Sequence, residues 1–136
     1  MSVTHLLDTS VYSQPIKPYP MSCALNRWHL LTDNRLSISA ICEAEVLYGL
    51  ELKQSQRLFL DFQRTLQNRL KIWTINELEA QTFASLKAQQ ERKGKRIPDF
   101  DLLIAATAKA HNLILATLDI RHFKAIEGLA VEDWSK

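Results

Sequence analysis

Short apolar runs alternate along this chain with segments whose apolar residues recur every three or four positions. Residues 3–7 (VTHLL) read as a first strand, halted by Asp8, Thr9 and Ser10. Leu36, Ile38 and Ala40 alternate with Ser37 and Ser39, the two-residue period of a strand. Residues 71–75 (KIWTI) and 113–118 (LILATL) supply two further strands, and 129–134 a closing edge strand. Between these runs the spacing is helical. A helix is predicted over 21–31, on Ala24, Leu25, Trp28 and Leu31, and another over 40–52 with Ser39 as its N-cap. Residues 54–70 predict a long amphipathic helix on Leu58, Phe59, Phe62, Leu66 and Leu70, and 77–92 another. The proline-rich stretch 13–20 reads as an extended loop. In 97–123 (IPDFDLLIAATAKAHNLILATLDIRHF), Pro98 ends what precedes it, Asp99 takes the N-cap position, and Asn112 breaks the small-residue helix 102–110.

Strands and helices in alternation predict an α/β fold, a central mostly parallel sheet of four to five strands flanked by helices on both faces. The 136 residues suit a single domain, 1–136, and 46% hydrophobic with 24% charged content is ordinary for a soluble protein. A net charge of +2 is too mild to imply a polyanionic partner, so the placing of basic residues matters more. Cys23 and Cys42 lack metal-ligand spacing and read as reduced thiols. No apolar run reaches the ~18–20 residues of a membrane span, and the N-terminal stretch lacks a signal-peptide core. A soluble, cytoplasmic protein is the expectation.

The acids change this picture. In a parallel sheet the C-terminal strand ends share one edge, where ligands of open α/β sheets bind. That edge collects Asp8 after the first strand and Asp119 after the fourth, and Asp101 enters it from the start of the preceding helix. Taken singly, Asp8 suits an Asx-turn or N-cap, and Asp119 a turn before Arg121. Glu45 suits a border residue beside a stripe of Ile41, Ala44, Tyr48 and Leu52, with Glu43 turned to solvent. Asp99 and Asp101 point to opposite sides of their helix. Taken together, three or four carboxylates at one edge suit a hard divalent cation such as Mg²⁺ or Mn²⁺. His5, His29, His111 and His122 are scattered and read as surface or core residues.

Four segments carry a resemblance: LLDTSVY at 6–12, SAICEAEVLYGLE at 39–51, residues 99–123, and the closing VEDW. Together they resemble the PIN-domain ribonucleases, in particular the VapC/FitB-like toxins of bacterial toxin–antitoxin pairs. The resemblance spans nearly the whole chain. It implies a PIN-like fold in which Asp8, Glu45, Asp101 and Asp119 are the catalytic, metal-holding acids, Glu45 selected over Glu43 and Asp101 over Asp99. The family often has Asn at the fourth position; the acid Asp119 here favours activity. The implied reaction is Mg²⁺- or Mn²⁺-dependent endoribonuclease cleavage, leaving a 5′-phosphate and a 3′-hydroxyl. Thr9, Ser10 and Thr117 would support the ligands or contact the scissile phosphate. Lys93, Lys95, Arg96 and Arg121 would hold RNA backbone beside the acids, although a solvated loop explains the first three equally well. A cognate antitoxin and a homodimer are implied partners, with Trp28 or the 54–70 helix as possible apolar anchors, although both also suit the core.

Three rivals stand against this, and DNA cleavage is a weaker neighbour of the main reading that substrate tests distinguish. A haloacid-dehalogenase-type phosphatase needs D-x-D, yet Asp8 is followed by Thr9 and Ser10. A receiver domain needs an acidic pair and a later catalytic Lys, a pattern not met. A catalytically inactive PIN-like module for nucleic-acid or protein binding would be signalled by a missing acid, and none is missing.

Overall fold

The computed structural model describes residues 2–136. Five parallel strands form one sheet: β1 (His5–Leu7), β2 (Leu36–Ser39), β3 (Lys71–Trp73), β4 (Ile114–Thr117) and β5 (Val131–Asp133), in the order β3-β2-β1-β4-β5. β1 is central, pairing His5 with Leu36 on one side and with Ile114 on the other. Every residue of β1 and β2 is buried, which explains their near-continuous apolar reading, whereas edge strand β3 is largely exposed. The chain builds outward through β2 and β3, then crosses back to place β4 on the other side of β1. The switch point therefore lies between the C-terminal ends of β1 and β4, where a crevice opens in such sheets.

Among the described residues six α-helices flank the sheet: α1 (Thr9–Tyr12), α2 (Ser22–Leu31), α3 (Ala40–Lys53), α4 (Gln56–Thr65), α5 (Glu77–Arg92) and α6 (Asp99–Ala110). The sequence pattern misplaced several of their details. The long 54–70 helix is only the α4 segment. Gln54 adopts a left-handed φ of 50°, Ser55 caps the new helix by accepting from the Leu58 N–H, and Leu66 ends it. The buried stripe of α3 is Cys42, Val46 and Leu50, set by the Cys42 thiol against the Leu7 carbonyl. Ala44, Tyr48 and Leu52 are exposed instead. Glu43 is not turned to solvent but half-buried, accepting a hydrogen bond from the Tyr12 hydroxyl at 2.8 Å. Trp28 is a core residue, its indole N–H bonded to Asp33.

α6 also begins differently from the prediction. Pro98, extended and lacking an N–H to satisfy, occupies the cap position. Asp99 is the first helical residue and pairs with Lys87 at 2.9 Å. At the other end of α6, His111 binds the buried Glu79 carboxylate and stacks on Trp73 with ring centroids 4.0 Å apart. Glu79 also closes a capping box with Asn76 at the start of α5. That cluster fastens α5 to α6 and to edge strand β3.

Candidate active site

Asp8 is fixed by the turn it makes. Leaving β1, it caps α1: one carboxylate oxygen accepts from the Val11 N–H at 3.1 Å and from the Ser10 hydroxyl at 2.6 Å. The other accepts from the Thr117 hydroxyl, at the end of β4, at 2.6 Å. Its own N–H donates to the Ala116 carbonyl, so the ends of β1 and β4 are laced together at the switch point. Burial pushes the Asp8 carboxyl above the usual carboxylate range and the charge of Asp101 adds to this, while the Ser10, Thr117 and Val11 donors pull the other way.

The second hydroxyl of the turn, Thr9, donates to Glu45, which α3 brings to the same cleft. Thr117 in addition accepts from the Asp119 N–H at 3.0 Å, and Ser10 from the Leu118 N–H at 3.1 Å. Asp119 is clamped by Arg121 through two hydrogen bonds of 3.0 and 3.1 Å, and this guanidinium holds its carboxyl below the ordinary range. His122 lies between the last two acids, 3.3 Å from Asp101 and 3.5 Å from Asp119. Asp8, Glu45, Asp101 and Asp119 thus border one cleft of about 180 Å³, with Thr9, Ser10, Thr117, His122 and Phe123 in its walls.

The PIN-domain family model matches residues 5–129 of the chain. The chain belongs to the PIN-domain family. Among its relatives, Ribonuclease VapC2 of Rickettsia felis is 33% identical over 97% of this chain and 98% of its own. Two solved structures are alike in fold: FitAcB from Neisseria gonorrhoeae, at 29% identity and a TM-score of 0.87 over 96% of this chain and 98% of that one, and VapBC2 from Rickettsia felis bound to a promoter DNA fragment, at 30% identity and a TM-score of 0.83 over 97% and 99%. This PIN domain is of the VapC/FitB-like kind, and no helix among its described residues is long and apolar enough to cross a membrane.

The four acids and Thr9, Ser10 and Thr117 come together around one cleft, the hydroxyls bonded to Asp8 or Glu45. Arg121 lies beside them but is engaged with Asp119. Lys93 is drawn away to Glu127, whereas Lys95 and Arg96 line a neighbouring hollow. His122, which the sequence offers both as a surface or core residue and as one of the basic residues following Asp119, stands within reach of Asp101 and Asp119.

The donor set suits a hard cation: four carboxylates face one small cleft, and the most buried is charged only against the cost of desolvation and the repulsion of Asp101. Among the described residues the side chains do not form a ready-made three-ligand cluster. They turn to local partners instead. The Arg121 guanidinium supplies balancing positive charge, with His122 beside it as a hydrogen-bonding partner, and a bound cation would take over that role.

Proposed function

We propose that this PIN domain is a metal-dependent endoribonuclease toxin, inhibited by a cognate antitoxin. The observation that carries the reading is the convergence of Asp8, Glu45, Asp101 and Asp119 at the β1/β4 switch point. The ribonuclease name of the 33% identical relative supports the substrate class. Asp8, Asp101 and Asp119 would hold Mg²⁺ or Mn²⁺, with Glu45 as a further ligand or as the group that orients the attacking water. The cation, when bound, polarises the phosphodiester, lowers the pKa of water and stabilises the leaving oxygen.

The chain's own residues do the positioning. Ser10, Thr117 and the Val11 N–H fix both oxygens of Asp8, so its geometry is set before substrate arrives. Thr9 orients Glu45 to receive the water proton. The water oxygen bonds to phosphorus as the P–O3′ bond breaks, and the departing O3′ takes a proton from solvent, leaving a 5′-phosphate and a 3′-hydroxyl. Arg121, released from Asp119, is free to hold a phosphate oxygen, and His122 stands beside it as a second donor.

The complexes FitAcB and VapBC2 support an antitoxin partner. A groove adjoining Thr9 and Glu45 suits such a partner. Val46, Leu50 and Leu58 line it, with Lys17, Lys53 and Arg57 at its rim. Exposed Tyr48, Leu52 and Leu60 offer apolar surface for a second copy, the expected homodimer.

The test is cleavage of end-labelled structured RNA by purified protein with Mg²⁺, Mn²⁺ or chelator, beside Asp101→Asn. Metal-dependent cuts that disappear in the variant are expected. Cuts that persist in chelator, or in Asp101→Asn, would remove the four-acid site from the reaction.

A further inference from the structure

A second hollow opens next to the acid cleft, and His122 lines both. It measures about 520 Å³, inside the ~300–1,000 Å³ range of small-ligand sites. Gln90, Lys95, Arg96, Ile97 and Arg121 are among the residues that line it, and all but Arg121 also line the hollow beside it. Among the described residues Lys95 and Arg96 are exposed and form no ion pair, unlike their neighbours Lys87 and Lys93. Gln90 is the unusual member. Only 2% exposed, it has neither side-chain amide atom hydrogen-bonded, and these two are the only such buried side-chain atoms among the described residues.

Position 90 is held where it is by main-chain geometry. The Gln90 carbonyl accepts from the Lys93 and Lys95 N–H groups as α5 ends, and Gly94 makes the turn with a φ of 71°. That ties down the backbone but leaves the side chain unexplained. An unpaired buried amide is unfavourable, and a leucine of similar size would serve packing better. A primary amide presents a donor and an acceptor side by side, the pattern that matches a nucleobase edge.

We propose that this hollow is a base subsite for the substrate RNA: the Gln90 amide reads the edge of one nucleobase near the scissile bond, and Lys95 and Arg96 hold the attached phosphate. The proposal rests on the nuclease reading for its substrate class and deepens it by naming a residue that sets sequence preference. Every base carries an adjacent donor and acceptor, so the expectation is discrimination by orientation rather than a bare yes or no. Both amide atoms are closed off from solvent, so a base reaches them only once the Gln90 side chain and its exposed neighbours shift, as interface side chains commonly do.

The experiment titrates isotope-labelled protein with AMP, GMP, CMP and UMP in chelator and follows the Gln90 side-chain amide by NMR, assigned by its loss in Gln90→Leu. One nucleotide should move that amide and the Lys95 and Arg96 N–H signals, with a preference of roughly ten-fold over the weakest. Gln90→Leu should erase the preference, and its thermal melt should be no lower than that of the natural chain. Arg96→Ala, on the exposed rim, should weaken all four nucleotides alike. On a randomised RNA with Mn²⁺, the natural chain should favour one base at a fixed position beside the cut, and Gln90→Leu should lose that preference. An unresponsive Gln90 amide, as an ordered water partner would give, or an unchanged preference in Gln90→Leu, overturns the subsite. If RNA is never cut while the Gln90 amide still responds to a nucleotide, the nuclease reading falls and the nucleotide site stands.

Discussion

The two ends of α6 are built on opposite electrostatic principles. At its C-terminal end, His111 meets the buried Glu79 carboxylate, stacks on Trp73, and sits where a helix favours positive charge. The Trp73 indole in turn donates to Ser37, and Lys71 lies 3.8 Å from the Trp73 ring centroid. The polar groups there have partners. At the N-terminal end, Asp101 faces the same cleft as three other carboxylates, and Asp8 is buried there at a cost in its ionised form. The Arg121 guanidinium moderates that repulsion from an exposed position, with His122 hydrogen-bonded beside it. One end holds the fold together. The other holds charge that the fold alone gives no reason to gather, the usual mark of a functional site.

The largest effect expected from breaking this contrast is on activity. Asp101→Asn should lower metal-dependent RNA cleavage by roughly a hundred-fold or more, about 3 kcal/mol in the barrier, while the thermal melt stays level or rises. Next comes the opposite end. Glu79→Gln keeps an acceptor for the Asn76 N–H but leaves His111 without its carboxylate, and should cost about 1–3 kcal/mol at neutral pH. Cleavage per folded molecule should change little, as paired denaturation and turnover measurements would show.

That same substitution carries a pH signature. Burial pushes the Glu79 carboxyl up, but the Asn76 N–H and His111 outweigh it and leave the group below its ordinary 4.5. A depressed carboxyl pKa stabilises the fold above the unfolded value and is lost as pH falls through the folded one. Denaturant titrations of the natural chain should therefore show stability falling from about pH 4.5 downward, with a shallower acid limb in Glu79→Gln. A smaller effect, of opposite sign, is expected at Asp8. Asparagine there keeps an oxygen for Val11 and Ser10 and turns an N–H toward Thr117, while removing a buried charge. Asp8→Asn should gain about 1 kcal/mol near neutrality as cleavage is lost, a trade-off common at active sites.

Much of the sheet could be read along the chain, because β1, β2 and β4 are buried runs with turn residues at their ends, and periodicity reports such burial directly. The acid positions were legible for a related reason: topology alone carries strand ends to one edge, so Asp8 and Asp119 had to be neighbours. What failed was decided by single contacts between distant residues. The Cys42 thiol on the Leu7 carbonyl turned α3 so that Tyr48 and Leu52 face outward. Lys87 claimed Asp99, leaving Pro98 to open α6. Gln54 broke the predicted long helix by taking a left-handed backbone that no hydrophobic pattern announces. Gln90 is the extreme case, since an unpaired amide has no signature in sequence at all.

The central claim is that the clustered acids at the N-terminal end of α6 form a cation site, and thermal melts with added Mn²⁺ test it most directly. A cation bound only by the folded chain stabilises it by about 2.7 kcal/mol at a hundred times its Kd. The melting temperature of the natural chain should rise by several degrees with Mn²⁺, and that of Asp101→Asn should barely move. An equal rise in both, or no rise in either, would contradict the claim.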